Sequence, residues 1–459
     1  MLFHGINTEI KNIPVLDPEF TPILRFNKAF LKDAKKPVSI AVERADGQMS
    51  THHTFIHGTD ELFEADCYYI ERLVKTILWM KGGFKVYVAG DERIYEFLKK
   101  AYSSDGQQQF DWDFMANIFE REFEVVCVDT VPETKNSPKR VGGHLDGCRI
   151  GFDAGGSDRK VSAVVNGETV YSEEVVWFPK INSDPDYHYD GIVAAFKSAA
   201  EHMPRVDAVG ISSAGVYIND RTMSASLFLQ VPKDEYEKKV KDIYIRAVKD
   251  TFGDVPYAVY NDGDVSALAG AMSLEDNGVL GIAMGTSEAV GYVDTEGCVT
   301  GWLNELAFVP VDANPDAMRD EWSGDIGCGV KYFSQDSVIK LAPRAGIELD
   351  EKLSPAEKLK VVQALMAEDD ERAAKVYESI GVYLGHTLAY YYDLYSFKHV
   401  LLLGRVMSGK GGDLILAKCK DVLSDEYSEI SAKINIALPD EKFRRVGQSM
   451  AAASLAESK

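Results

Sequence analysis

Residues 149–160 read Arg149-Ile-Gly-Phe-Asp-Ala-Gly-Gly-Ser-Asp-Arg-Lys160. A β-branched and aromatic run leads into an Asp, a glycine pair and a hydroxyl, and a second alternating run, Val161 to Val165, follows at once. The pattern predicts a hairpin whose tight turn carries one carboxylate and several exposed backbone N–H groups. Glycines let a backbone approach a phosphate closely, and successive N–H groups form an anion nest. Asp153 would hold a metal ion through water, or orient it. Taken alone, such a loop also reads as an ordinary turn. Its weight comes from the segments that follow it in order.

Three segments complete the set. In 206–220, VDAVGISSAGVYIND, a strand ends in small residues at Ser212-Ser213-Ala214-Gly215. In 259–270, VYNDGDVSALAG, a strand delivers Asn261 and Asp262 just before a small-residue helix. In 281–293, GIAMGTSEAVGYV, a strand, the turn Gly285-Thr286-Ser287 and another strand follow one another. Each has a plainer explanation: Asn-Asp before a helix also serves as an N-cap, and Gly-Thr-Ser between strands is also a simple hairpin turn. Together they describe two strand–turn–strand devices, one in each of two lobes, with Gly/Thr/Ser loops facing one cleft.

Around this core the chain reads as α/β throughout. Its 459 residues predict roughly two to four domains. Residues 1–36, with Pro14, Pro18 and Pro22, read as an arm packed on the body. Strands at 38–43 and 51–56, a helix over 66–81 capped by Gly82-Gly83, a strand at 84–89, helices over 92–102 and 114–123 and a strand at 124–128 make a first unit, and 132–147 reads as a linker. The second unit, 148–272, adds a third strand near 169–176, helices over 191–202 and 234–252, and strands at 206–212 and 257–260. The third, 273–458, contains a long helix over 373–395, a buried strand at 400–403, a helix over 411–419 and an Ala-rich final helix over 444–456 suited to close packing. The order of elements in 1–147 loosely echoes the second unit, as a degenerate duplicate or as any α/β domain would.

Composition narrows the function. The net charge is −22, against nonspecific binding to nucleic acid or anionic membranes, which needs basic patches. No run approaches the ~18 apolar residues of a membrane span, and MLFHGINTEIKNIPVLD shows no signal peptide, so a cytoplasmic location is expected. The six cysteines, at 67, 127, 148, 298, 328 and 419, form no CxxC pair, against a disulfide framework or a cysteine zinc site. His52, His53 and His57 fall on or beside one strand whose alternation separates the first two, and His386 reads as structural.

The ordered segments resemble those of the ROK (repressor/ORF/kinase) sugar kinase-like family of the actin/hexokinase/Hsp70 ATPase superfold, over about residues 148–458. Asp153 to Ser157 resembles that family's first phosphate motif, DxGxT, with Ser for Thr. GISSAGV at 210–216 is similar to its sugar-side GxxxPG, with Ala214 for Pro. Asn261-Asp262 with Ala267-Leu268-Ala269-Gly270 is similar to NDxxxAALGE, whose Asp is the catalytic base, and Gly285-Thr286 to the second phosphate motif, GTGxGGG. Asn304-Glu305-Leu306-Ala307-Phe308 stands where the family has GExGH, and LLLGRVMSGKGG at 401–412 resembles its nucleotide-binding GG segment. The resemblance implies an actin-like (ribonuclease H-like) two-lobed ATPase fold with an additional N-terminal α/β domain. It implies ATP-dependent phosphorylation of a sugar or sugar-like hydroxyl, and so a place in carbohydrate metabolism. Asp262 would be the general base. Asp153 would position Mg²⁺. Gly155, Gly156, Ser157, Gly285, Thr286, Ser287 and Gly404 would hold ATP in the interlobe cleft. Ser213, Gly215, Asn261 and Glu305 would hold the sugar.

The departures define the alternative. Ser287-Glu288-Ala289-Val290 replaces the glycine-rich middle of the second phosphate loop, Arg405 a second glycine, and Phe308 a sugar-contacting His. Only Cys328 is left of the family's zinc motif, so no structural zinc is expected. A catalytically inactive ROK-like sugar or nucleotide sensor, or a partner-binding protein, is therefore the rival reading, and an ATPase coupled to a partner a weaker third. Residues 1–147 lack the compact helix–turn–helix of the ROK repressors. No nucleic-acid or membrane partner is expected; the expected assembly is a homodimer.

Overall fold

The hairpin built on Asp153 anchors one of two compact units. In the computed structural model, which describes residues 2–457, the strands Cys148–Ala154 and Asp158–Val165 pair antiparallel. Glu168–Val176 extends the hairpin antiparallel on one side. On the other side Ala208–Ser213 joins Cys148–Ala154 in parallel, and Tyr257–Asn261 follows in parallel. The five strands therefore run in the order third, second, first, fourth, fifth. Parallel neighbours need crossover helices, and Pro185–Ala200 and Ile243–Phe252 supply them.

Alternation along the first strand sets the two faces. Ile150 and Phe152, with Val209 and Ile211, enter a core shared with Phe196, Ala247 and Val248. Gly151 and Gly210 take the opposite face, where the final helix Glu441–Ala453 packs. A Cβ at Gly151 would lie 1.6 Å from the Ser449 carbonyl oxygen, and one at Gly210 1.7 Å from that of Ala452. These two positions thus require glycine because helix and sheet backbones touch. The unit comprises Pro138–Gly281, Gly291–Gly301 and Pro439–Lys459, and it also contains the helix Asp262–Leu274.

The other unit comprises Met1–Ser137, Ile282–Val290 and Trp302–Leu438. Its N-terminal sheet has the strand order Gln48–Ile56, Lys36–Arg44, Lys85–Ala89, Glu124–Cys127. Here the central pair, Lys36–Arg44 with Lys85–Ala89, is antiparallel, whereas the equivalent pair in the five-stranded sheet is parallel. The N-terminal segment is therefore not a copy of the second unit. The expected arm packs on the long helix Glu371–Tyr395. Asp17 accepts from the Tyr383 hydroxyl at 2.6 Å and from Arg344 at 2.6 Å, and Phe20 packs edge-on against Tyr383. The arm also holds a helix, Ile23–Leu31, which the proline-rich pattern had hidden. His386 lies buried, bonded to the Tyr427 hydroxyl at 2.8 Å and the Asn12 carbonyl at 3.0 Å, a structural placement.

Helices at Gln335–Arg344 and Pro355–Ala367 also go beyond the sequence reading, although Ser334 and the Ser354–Glu357 capping box mark their starts. The helix expected over 234–252 is interrupted. Lys241 N–H reaches back five residues to Tyr236 O at 3.1 Å, a wide turn that separates Lys233–Glu235 from Ile243–Phe252. Among the described residues no helix is long and apolar enough to cross a membrane. All six cysteines are free thiols.

Candidate functional site

The predicted residues form two groups, one in each unit. Register builds the first. Parallel pairing sets Asp153 beside Ser212 and Ser212 beside Tyr260, then Ala154 beside Ser213 and Ser213 beside Asn261. All lie at the carboxyl ends of parallel strands, where open α/β sheets bind ligands. Ser212 Oγ donates to Asp153 Oδ1 at 2.8 Å. Burial, aided by the neighbouring Asp262 charge and opposed by that Ser212 bond, pushes the Asp153 carboxyl up to about 6.

Asn261 caps the helix Asp262–Leu274. Its Oδ1 accepts from Gly263 N–H at 2.7 Å and its Nδ2 donates to the Gly215 carbonyl at 2.8 Å. The cap expected of an Asn-Asp pair is thus Asn261, which leaves Asp262 as the first helical residue. Asp262 is half-buried. Burial raises its pKa against the pull of the Gly263 N–H and of Lys180, the direction a general base at neutral pH needs. Gln448 steadies this corner, donating to the Asp262 carbonyl and to Ser266 Oγ at 2.9 Å each. Ser213 is fully buried and its hydroxyl pairs with Tyr244 at 2.8 Å.

The turn after Asp153 is open. Gly156 and Ser157 are exposed, and among the described residues the N–H groups of Gly155 and Gly156 donate to nothing. Trp177 fixes the turn from behind, its Nε1 donating to Gly155 O at 2.8 Å and its backbone N–H to Ser157 O at 3.1 Å. Lys180 flanks it: a Cβ at Gly156 would lie 3.1 Å from Lys180 Nζ. The sequence reading missed Lys180, Trp177 and Gln448, because none belongs to a local motif and only folding brings them to the turn or to Asp262.

The second group lies at the turn Gly285-Thr286-Ser287. Gly285 N–H donates to Ser287 O at 3.0 Å, and Gly285 O accepts from Gln335 N–H at 2.8 Å. Thr286 and Ser287 are exposed, and a Cβ at Gly285 would meet only Ser287 O, at 3.7 Å. Glu288 turns inward: its side chain is 3% exposed, and a Cβ at Gly329 would lie 2.3 Å from Glu288 Oε2. Neither carboxyl oxygen has a hydrogen-bond partner among the described residues. Burial, reinforced by Glu305, raises its pKa well above the ordinary carboxylate value.

Gly404 has φ +94°, and a Cβ there would lie 2.3 Å from Met284 O, so glycine is required for two strand ends to meet. Beyond it, Gln363, Tyr377, Ser408, Gly409 and Gly411 line a cavity of about 240 Å³, and the buried Tyr377 hydroxyl is unpartnered among the described residues. Glu305 N–H is held by Trp79 O at 3.0 Å. Phe308 is buried in an aromatic cluster, 4.2 Å from the Trp79 ring centroid and 5.4 Å from that of Trp322.

No protein-family model matches the chain, and no curated protein matches it. Solved structures do. The ROK hexokinase from Thermus thermophilus aligns with a TM-score of 0.53 at 16% identity, over 67% of this chain and 97% of that one. A ROK family transcriptional regulator, homologous to the E. coli MLC protein, aligns with a TM-score of 0.54 at 16% identity, over 68% of this chain and 79% of that one. The fold is that of the ROK proteins, an α/β fold of the actin-like class. About a third of this chain lies outside each alignment.

Proposed function

We propose that this protein phosphorylates a hydroxyl of a sugar or sugar-like molecule at the expense of ATP. The observation that carries the reading is the strand-end constellation of Asp153, Ser212, Asn261 and Asp262 beside an open glycine turn. Phosphoryl transfer needs mainly positioning and charge stabilisation. Asp262, with its raised pKa, accepts the proton of the attacking hydroxyl. Asn261 and Glu305 orient other hydroxyls, and the Ser213–Gly215 backbone shapes the acceptor side. The N–H groups of Gly155 and Gly156, the Ser157 hydroxyl and the Gly285-Thr286-Ser287 turn take phosphate oxygens, and Lys180 adds positive charge. Gly404 and the cavity that follows it receive the nucleoside.

Asp153 fits a divalent cation: its carboxyl has one side-chain donor, Ser212, and sits where burial disfavours its charge. Such a cation would neutralise charge on the phosphates. The chain is read as three segments, 1–147, 148–272 and 273–458, assembling as a homodimer. The inward turn of Glu288 supports the kinase reading, because the acid does not occupy the exposed phosphate turn.

The test is incubation of the pure protein with Mg-ATP and a panel of hexoses and amino sugars. Phosphate transfer to at least one sugar is expected, with Asp262→Asn lowering kcat by about 10²- to 10⁴-fold. Absence of transfer to every acceptor, or an Asp262→Asn enzyme as fast as wild type, overturns the reading. One observation favours the rival, a non-catalytic sensor: Phe308 is locked among aromatic rings and offers no polar contact to a sugar. That reading predicts sugar- or ATP-induced thermal stabilisation without turnover.

A further inference from the structure

The unit that contains the N-terminal sheet buries a cluster of charges that the proposed reaction does not use. The helix Phe63–Lys81 carries Glu71, Arg72 and Lys75 into the interior. Lys75 is fully buried and donates to both oxygens of Asp111, at 2.9 and 2.7 Å, and lies 3.1 Å from Asp325. Arg72 Nε donates to Glu71 at 2.5 Å, and its Nη1 lies 3.0 Å from Asp325. Burying such ions is costly, and apolar residues of similar volume would commonly serve stability as well. Packing alone therefore does not account for the cluster.

The cluster is also not sealed. Glu71, Arg72, Gln108 and Asp325 form the floor of a cavity of about 650 Å³. Tyr68 and Phe97 present aromatic surface to it, and the exposed Gln107 lies on its rim. The volume falls within the range of small-molecule sites, which combine apolar walls with a few fixed polar groups. We propose that this cavity binds a neutral polyhydroxylated small molecule of monosaccharide size, at residues distinct from those assigned to phosphoryl transfer.

Charge balance selects the ligand class. The floor and the groups behind it set three carboxylates, Glu71, Asp111 and Asp325, against two cations, Arg72 and Lys75. Both cations are already committed to those carboxylates, and the rim guanidinium of Arg319 donates to the Gly324 carbonyl. An entering phosphate would find only Arg319 on the rim, with one N–H already donated and Glu64 lining the same cavity, above a floor whose cations are committed to carboxylates, a poor setting for anion recognition. Hydroxyls both donate and accept. They can therefore address the carboxylate oxygens, the guanidinium and the Gln107 and Gln108 amides in turn, while the C–H face of a ring lies on Tyr68 or Phe97.

Hydrogen–deuterium exchange on the full chain, with neutral hexoses, glucosamine, glucose 6-phosphate and inorganic phosphate as separate millimolar probes, tests this. The expected result is protection of peptides covering 63–72, 97–108 and 319–326 by at least one neutral sugar. That protection should persist in Asp262→Asn, so failure of the kinase reading leaves it intact. Phe97→Ala and Gln107→Trp, both outside the ion cluster, should weaken the protecting sugar by about tenfold or more with an unchanged thermal midpoint. Protection confined to 208–215 and 257–262, protection by only the charged probes, or undiminished affinity in both variants overturns the proposal.

Discussion

Asp153 is held at a pKa of about 6 in the folded protein, against an ordinary value of 3.8. As pH rises between those values the unfolded chain loses its proton first, so ionisation of this group withdraws stability across about pH 4 to 6. A rise of that size corresponds to about 3 kcal/mol. Asp153→Asn should therefore gain stability relative to wild type as pH passes from 4 to 7, read from denaturation midpoints. An equal difference at both ends would show that the Asp153 carboxyl titrates in its ordinary range. If Asp153 also holds a divalent cation, Mg²⁺ should raise the thermal midpoint of wild type at pH 7 but not that of the variant. Glu288 offers a sharper case, since both its oxygens are buried without partners among the described residues. An unsatisfied buried polar group costs roughly 1–3 kcal/mol, so Glu288→Met should stabilise the protein by about that amount. Its folded pKa is raised, so the advantage should grow above pH ~4.5; an advantage that shrinks with pH would contradict the assignment. The inward turn of Glu288 was invisible in the sequence, where Ser287-Glu288-Ala289-Val290 stood only as a replacement for the glycine-rich middle of the second phosphate loop. Motif spacing pointed to Asp153, Asn261 and Asp262, which neighbouring strand ends bring to one corner. It could not find Lys180 or Gln448, which reach the same corner from distant segments.

At the scale of elements, glycine separates packing from candidate function. Gly151→Ala would drive a methyl into the Ser449 carbonyl, 1.6 Å away. The final helix would have to move, and a loss of about 1–3 kcal/mol or more is expected, measured by urea denaturation. Gly285→Ala meets nothing nearer than 3.7 Å and lies outside the positive-φ glycines, so its stability should stay within about 0.5 kcal/mol of wild type, while KM for ATP rises if the turn cradles phosphate. Gly285→Ala with unchanged KM would remove that turn from the nucleotide site. The same distinction explains which elements were legible. Hairpin strands and the long amphipathic helices follow directly from periodicity, and the helix Phe63–Lys81 ends at Gly82 as its sequence predicts. The arm helix Ile23–Leu31 follows a proline at 22 and starts without a side-chain cap. The break at 236–240 comes from a wide turn that no side-chain pattern announces. The N-terminal sheet shows a further limit, since element order resembled a duplicate and strand direction did not.

Across the whole molecule, exposed and buried charge should respond differently to salt. With 50 basic and 72 acidic residues, the surface repels itself, and self-repulsion of this kind destabilises a compact state. The Debye length falls to about 10 Å at 0.1 M ionic strength, so wild type should show a rising thermal midpoint as salt increases from low levels. The Lys75–Asp111 pair behind the cavity floor lies beyond that screening, with both side chains fully enclosed. Lys75→Met leaves Asp111 without its cation and Asp325 with only Arg72. Removing one partner of a buried ion set costs about 3–5 kcal/mol. Midpoints of both proteins should therefore rise together with salt while the gap between them stays constant. A gap that narrows as salt rises would mean that solvent ions reach the Lys75–Asp111 pair, and that its charges belong electrostatically to the surface.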